Sequence, residues 1–124
     1  MKLLSDEERI SIIKNKVSDI INKYEIEVVV IEDYSFMSRG RAVFSLGELG
    51  GAIKNMIFEK KIPIVKVSPP ALKKFITGKG NSDKNVMLMK IYKNYGKEFL
   101  DDNIADAFAL GKYYFDYVIK QVGK

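Results

Sequence analysis

Apolar residues recur at helical spacing through the first twenty residues, and then the pattern changes. Ile10, Ile13, Val17, Ile20 and Ile21 fall three or four apart, which predicts a helix over residues 5–23. Ser5 or Asp6 can cap it, with Glu7 and Glu8 in the first turn, where acidic groups suit the helix dipole. Ile26 to Ile31 is instead a short β-branched run without alternation, as expected of a strand covered on both faces in a parallel sheet. Helical spacing returns over residues 41–60 through Val43, Leu46, Leu49, Ile53, Met56 and Ile57. Gly47, Gly50 and Gly51 fall inside that helix, each at a cost of about 1 kcal/mol against alanine. Close packing against another backbone is the simplest offset, and this helix is the candidate dimer surface.

Ile62 to Val67 reads as a second strand, and Pro69-Pro70 opens a short helix reaching Phe75. Gly78-Lys79-Gly80-Asn81-Ser82 reads as a flexible loop, after which Ser82 or Asn81 can cap a helix ending at Tyr95-Gly96. A last helix is expected from about Asp102 to about Val122. Strand, helix, strand implies a parallel pair joined by a right-handed crossover. Two strands make a small sheet, and the Val28 to Ile31 run wants neighbours on both sides. An exposed edge beside it is therefore expected, open or covered by a partner.

Composition narrows the chemistry. The 124 residues suit one domain, 1–124, and 47% apolar with 30% charged residues is a globular balance. No apolar run reaches the roughly 18 residues of a membrane span, and the N-terminus turns acidic too early for a signal-peptide core. Cysteine and histidine are both absent. That excludes disulfides, thiolate zinc sites, histidine-bound metals and nucleophiles activated by histidine. A hydrolase built on this chain would have to work with carboxylates, lysine, tyrosine or a bound metal. Charge is unevenly placed: residues 73–97 carry seven lysines and one aspartate, net +6 of an overall +5. Such a stretch suits a polyanion, although with 18 lysines to 3 arginines a solvated lysine-rich face accounts for it equally well.

Acidic groups stand at two distant places. Glu32 closes the first apolar strand at its carboxyl end, the edge where sites form in open α/β sheets. A glutamate there is as readily an ordinary surface residue. Asp33 would face the other way by strand alternation. Asp102 and Asp106 are four apart and share a helix face. Asp102 can equally be an N-cap, whereas Asp106, between two alanines, is harder to explain that way. A cation between the two would reverse their repulsion, and oxygen ligands suit hard divalent ions. The glycine-lysine loop at 78–82 leads into a helix N-terminus, which suits phosphate or simple solvent exposure. It lacks the spacing of a Walker loop.

Five stretches then occur in a recognisable order: Val29-Val30-Ile31-Glu32-Asp33-Tyr34-Ser35-Phe36; Gly40-Arg41-Ala42-Val43-Phe44 with Gly47-Glu48-Leu49-Gly50-Gly51; Val67-Ser68-Pro69-Pro70-Ala71-Leu72-Lys73-Lys74-Phe75; Gly78-Lys79-Gly80-Asn81-Ser82-Asp83-Lys84; and Asp101-Asp102-Asn103-Ile104-Ala105-Asp106-Ala107. Together, from about Glu8 to Tyr114, they resemble RuvC-type Holliday-junction resolvases, especially the phage-encoded branch. The resemblance implies an RNase H-like α/β fold, here partial: a parallel strand pair with a crossover helix and C-terminal helices. It implies a homodimeric endodeoxyribonuclease that cuts four-way DNA junctions with Mg²⁺ or Mn²⁺, in the cytoplasm of a bacterial or phage-infected cell. Glu32, Asp102 and Asp106 match the family's metal-binding carboxylates, and Lys73 and Lys84 match lysines near the scissile phosphate, which makes Lys84 a candidate catalytic group. Asn103 stands at the family's usual three-residue spacing before Asp106, but a carboxylate binds a cation better than an amide, which favours Asp102. Arg39, Arg41, Lys73, Lys74, Lys79 and Lys84 are the expected DNA contacts, made to backbone phosphates more than to bases.

One departure bears on activity. Family members begin with three strands, the first carrying an aspartate central to metal binding, and no residue here matches it. The expectation is an N-terminally truncated domain whose isolated 124 residues cleave weakly or not at all. A DNA-binding relative without catalysis, or a subunit that completes its sheet with another chain, are the rival readings.

Overall fold

The computed structural model describes residues 3–33 and 41–119, without the side chains of residues 41–43, 117 and 118. The order is α1 (Asp6–Lys23), β1 (Val29–Glu32), α2 (Arg41–Glu59), β2 (Ile64–Val67), α3 (Pro69–Thr77), α4 (Lys84–Tyr95) and α5 (Asp102–Tyr113), followed by a π-helical segment, Tyr114–Ile119. No helix among these residues is long and apolar enough to cross a membrane.

Caps explain most of the boundaries. Ser5 and Glu8 form a reciprocal capping box at the start of α1. Ser68 accepts from the Ala71 N–H and Pro69 takes the first helical position of α3. Gly78 and Gly96 end α3 and α4 in the left-handed region, at φ +88° and +67°. Two caps differ from expectation. Asp83, not Ser82 or Asn81, caps α4 through the Val86 N–H at 2.9 Å. Asp101, not Asp102, caps α5, accepting from the Asn103 N–H at 2.7 Å. The last helix also changes character: regular α-helix stops at Tyr113 and wider π turns follow. Its expected end at Val122 lies outside the described residues.

The strands are shorter than the apolar runs. Ile26 still donates to the Ile21 carbonyl, closing the turn after α1, and Glu25 there takes φ +51°. Pairing begins only at Val29, whose N–H donates to the Pro63 carbonyl at 3.0 Å. The Asp33 N–H donates to the Val67 carbonyl at 2.8 Å. Both strands advance by four between these bonds, so the pair is parallel. Among the described residues the sheet has these two strands alone. All four residues of β1 are half-buried, less covered than a strand with both faces packed.

The described residues cluster into two compact units, 3–29 with 41–65 and 30–33 with 66–119. In the first, α1 packs on α2, and Ile21 and Ile57 are buried. Elsewhere on α2, Phe44, Leu46 and Phe58 are exposed, and a Cβ added at Gly47, Gly50 or Gly51 would meet nothing within 4 Å. The close packing expected at these glycines is therefore not made by the described residues. In the second unit, α3, α4 and α5 pack together around Leu72, Ile76, Met87, Ile91, Ala105, Ala109 and Leu110.

Candidate metal and nucleic-acid site

Within the second unit the end of β1 supplies Glu32, α3 supplies Lys73, α4 begins with Lys84 and α5 carries Asp102 and Asp106. Ala105 and Ala109 are buried, so small side chains let α5 lie close to α3 and α4. Phe75 of α3 meets Tyr113 of α5 edge-on, with ring centroids 5.3 Å apart. That contact helps fix the α3 backbone carrying Lys73 against the helix carrying Asp106.

Because Asp101 serves as the cap, Asp102 is released for other work. Its Oδ2 lies 2.8 Å from the Lys84 Nζ. The Lys84 side chain is 80% exposed and that of Asp102 38%. The hydrogen bond from Lys84, then the local backbone N–H and the lysine's charge, hold the Asp102 carboxyl below the usual carboxylate range. The same hydrogen bond and charge push Lys84 up, with Asp106 adding to the effect.

Asp106 is half-buried and goes the other way. Burial pushes its carboxyl up, the Glu32 and Asp102 carboxylates push it further, and Lys84 and Lys73 pull it back. The fold has thus gathered a glutamate from residue 32 and aspartates from residues 102 and 106 into one electrostatic neighbourhood, flanked by two lysines. Asn103, the alternative to Asp102, is exposed, and its N–H serves the Asp101 cap. Lys74 and Lys79 are exposed. Arg39 lies outside the described residues, and Arg41 opens α2 in the other unit, with its side chain also outside them.

All the acidic donors are oxygens, which suits a hard divalent cation, and a cation would offset the repulsion that lifts Asp106. As the side chains stand, no three acidic groups among the described residues are close enough to hold an ion together. Asp102 is engaged with Lys84 instead.

The connection into α4 is less loose than its glycines imply. The Thr77 hydroxyl donates to the Lys73 carbonyl at 2.8 Å and accepts from the Lys79 N–H at 3.1 Å. The Ser82 hydroxyl meets that of Thr77 and lies 2.9 Å from the Lys79 carbonyl. This clasp ties down the backbone between Lys73 and Lys84. A threonine and a serine flanking Gly-Lys-Gly-Asn were the available signal, but hydroxyls in a glycine-rich stretch fit a solvated loop just as well.

The Asp106 shift has a measurable consequence. A carboxyl raised in the folded state binds a proton more tightly there than in the unfolded chain. Stability therefore falls as pH rises from the ordinary value of 3.8 through the folded value. Asp102 has the opposite sign, contributing stability above its ordinary value that is lost as pH falls through the depressed one. In chelator, Asp106→Asn is expected to raise the melting temperature at about pH 7 by a few degrees. It should also remove part of the decline above about pH 4. Thermal unfolding across pH measures both, and a lower melting temperature at neutral pH contradicts the electrostatic reading.

Two structures of Thermus thermophilus RuvC, one of them in complex with a Holliday junction substrate, match this fold. Their TM-scores are 0.79 and 0.80 at 21% identity, covering 95% and 93% of this chain and 72% and 71% of theirs. The architecture is thus that of an RNase H-like α/β protein. Residues 2–112 match the family model for crossover junction endodeoxyribonuclease RuvC, and the chain belongs to that family. Similar proteins of the same name occur in Endomicrobium trichonymphae, 30% identical over 105 residues, and in Carboxydothermus hydrogenoformans, 28% identical over 109. These alignments take in 83% and 86% of this chain, but 55% and 69% of the relatives' own lengths. The chain thus spans little more than half of the Endomicrobium protein.

Proposed function

We propose that the protein is a metal-dependent endodeoxyribonuclease that resolves four-way DNA junctions, acting in the cytoplasm as a homodimer. The observation that carries the reading is the placement of Asp102 and Asp106 one turn apart on α5, with Asp102 2.8 Å from Lys84 and Asp106 sensing the Glu32 carboxylate. It lies in a chain whose family is named for that activity. Glu32, Asp102 and Asp106 would hold Mg²⁺ or Mn²⁺, which when bound supplies Lewis acidity to the attacking water and the leaving oxygen. Lys73 and Lys84 flank the carboxylates and offset negative charge that develops on the phosphate. Lys74, Lys79, Arg39 and Arg41 are proposed to hold backbone phosphates.

A four-way junction needs two nicks, hence two sites. The exposed surface of α2, with Phe44 and Phe58 each 74% exposed beside bare glycines, is the proposed face for a second copy. Glycines would let two such helices approach closely. The test is incubation of the intact protein, with any segment that precedes Met1 in the natural product, with a synthetic four-way junction and Mg²⁺. Paired symmetric nicks are expected, with sedimentation as a dimer and binding that weakens steeply with salt. An intact junction under these conditions overturns the catalytic reading.

A further inference from the structure

Lys84 is both a proposed partner of the reacting phosphate and the group that engages a proposed metal ligand. Two independent features sharpen this. First, Lys84 is the first residue of α4, directly after the Asp83 cap. A cation there meets the positive end of its own helix dipole, so its charge is poorly supported by its own element. Second, Asp102 is the first residue of α5, where a negative charge is favoured whether or not a lysine is present. The two helix N-termini therefore meet through one ion pair of 2.8 Å.

That pair is built to be exchanged. The Lys84 side chain is 80% exposed, so its stem is not packed in place. Exposed pairs of this kind contribute little. An ammonium is a point charge on rotatable bonds, without the fork that locks an arginine to a carboxylate. Movement would be confined to the side chain, because the Thr77–Ser82 clasp secures the backbone just ahead of α4.

Resting on the metal-site reading above, we propose that Lys84 is the site's own counter-cation. Its ammonium occupies Asp102 until a divalent ion enters among Glu32, Asp102 and Asp106, and the exchange releases Lys84 toward the incoming phosphate. This accounts for the 2.8 Å pairing of a proposed metal ligand with a proposed phosphate-binding lysine, one helical turn from Asp106 on α5. It also makes metal entry and presentation of a phosphate-binding lysine one event.

The test needs no DNA and no turnover. Mn²⁺ is titrated by calorimetry into the intact protein and into Lys84→Met, Lys84→Arg and Lys73→Met. Lys84→Met is expected to bind Mn²⁺ roughly two- to tenfold more tightly than wild type, since the competing ion is gone. Lys73→Met removes equal charge near Asp106 without touching the pair, and should show a smaller gain. Lys84→Arg, which keeps the pair, should show none. In wild type, the Lys84 side-chain nitrogen resonance should shift as Mg²⁺ is added. Unchanged or weaker binding by Lys84→Met, a gain no larger than that of Lys73→Met, or an unmoved resonance overturns the exchange. If no variant binds Mn²⁺, wild type included, the ligand assignment falls with it. Normal exchange with an uncut junction instead removes the nuclease reading and leaves this one standing.

Discussion

Glu32→Gln and Asp106→Asn, made separately in the intact protein, are expected to lower junction cleavage at least about 100-fold. Junction binding in chelator should stay within about threefold of wild type. The size follows from the proposed role as metal ligands. Losing a group that merely supports a metal ligand costs up to about 100-fold, and losing a ligand should cost no less. Each change is nearly isosteric, and each removes one negative charge from the neighbourhood that Asp106 shares with Glu32 and Asp102. Binding should survive because the proposed phosphate contacts are lysines and arginines, and a neutralised carboxylate repels DNA less. The two variants should also differ. Asp106→Asn should melt higher than wild type in chelator, since it relieves a carboxyl that burial and two neighbours disfavour. An Asp106→Asn protein that is cut-competent and unchanged in stability would remove both halves of the argument. Single-turnover cleavage, gel shift and thermal unfolding on the same preparations separate the outcomes.

Ile91→Ala is expected to destabilise the protein by about 2–5 kcal/mol, measured by urea unfolding. Ile91 is 0% exposed in α4, on the side that packs in the second unit with α3 and α5. Removing three carbons there loses their transfer free energy and leaves a cavity that rigid neighbours only partly fill. Met89, two residues earlier on the same helix, is 58% exposed, and Met89→Ala should change stability by no more than about 0.5 kcal/mol. The contrast tests the helix register. It also bears on the site, because the same packing holds Lys84 at the head of α4 near Asp102 at the head of α5. Near-equal effects of the two substitutions would show that α4 is not seated as described.

The sequence made the helices and the parallel crossover plain, because their apolar periods and capping residues act locally. Glu32 at a strand end and Asp106 between alanines were also visible, and the family resemblance joined them. Cap register was not. Asp101 and Asp102, like Ser82 and Asp83, offer adjacent residues of suitable type, and which one caps depends on backbone angles that letters do not carry. The apolar run from Ile26 exceeded the strand because its first residues close the turn after α1. The Lys84–Asp102 pair joins residues eighteen apart through helix packing, and no local pattern announces it. The α2 glycines looked like a demand for close packing, and the described residues leave that demand unmet.

The neighbouring aspartates at the head of α5 have unequal freedom. Position 101 needs only a short side-chain acceptor for one amide, so serine or asparagine would serve it nearly as well. Position 102 is a proposed metal ligand as well as the partner of an ammonium, and an uncharged substitute would lose the first role even though the exposed pair itself contributes little. Two identical letters side by side thus tolerate drift very differently.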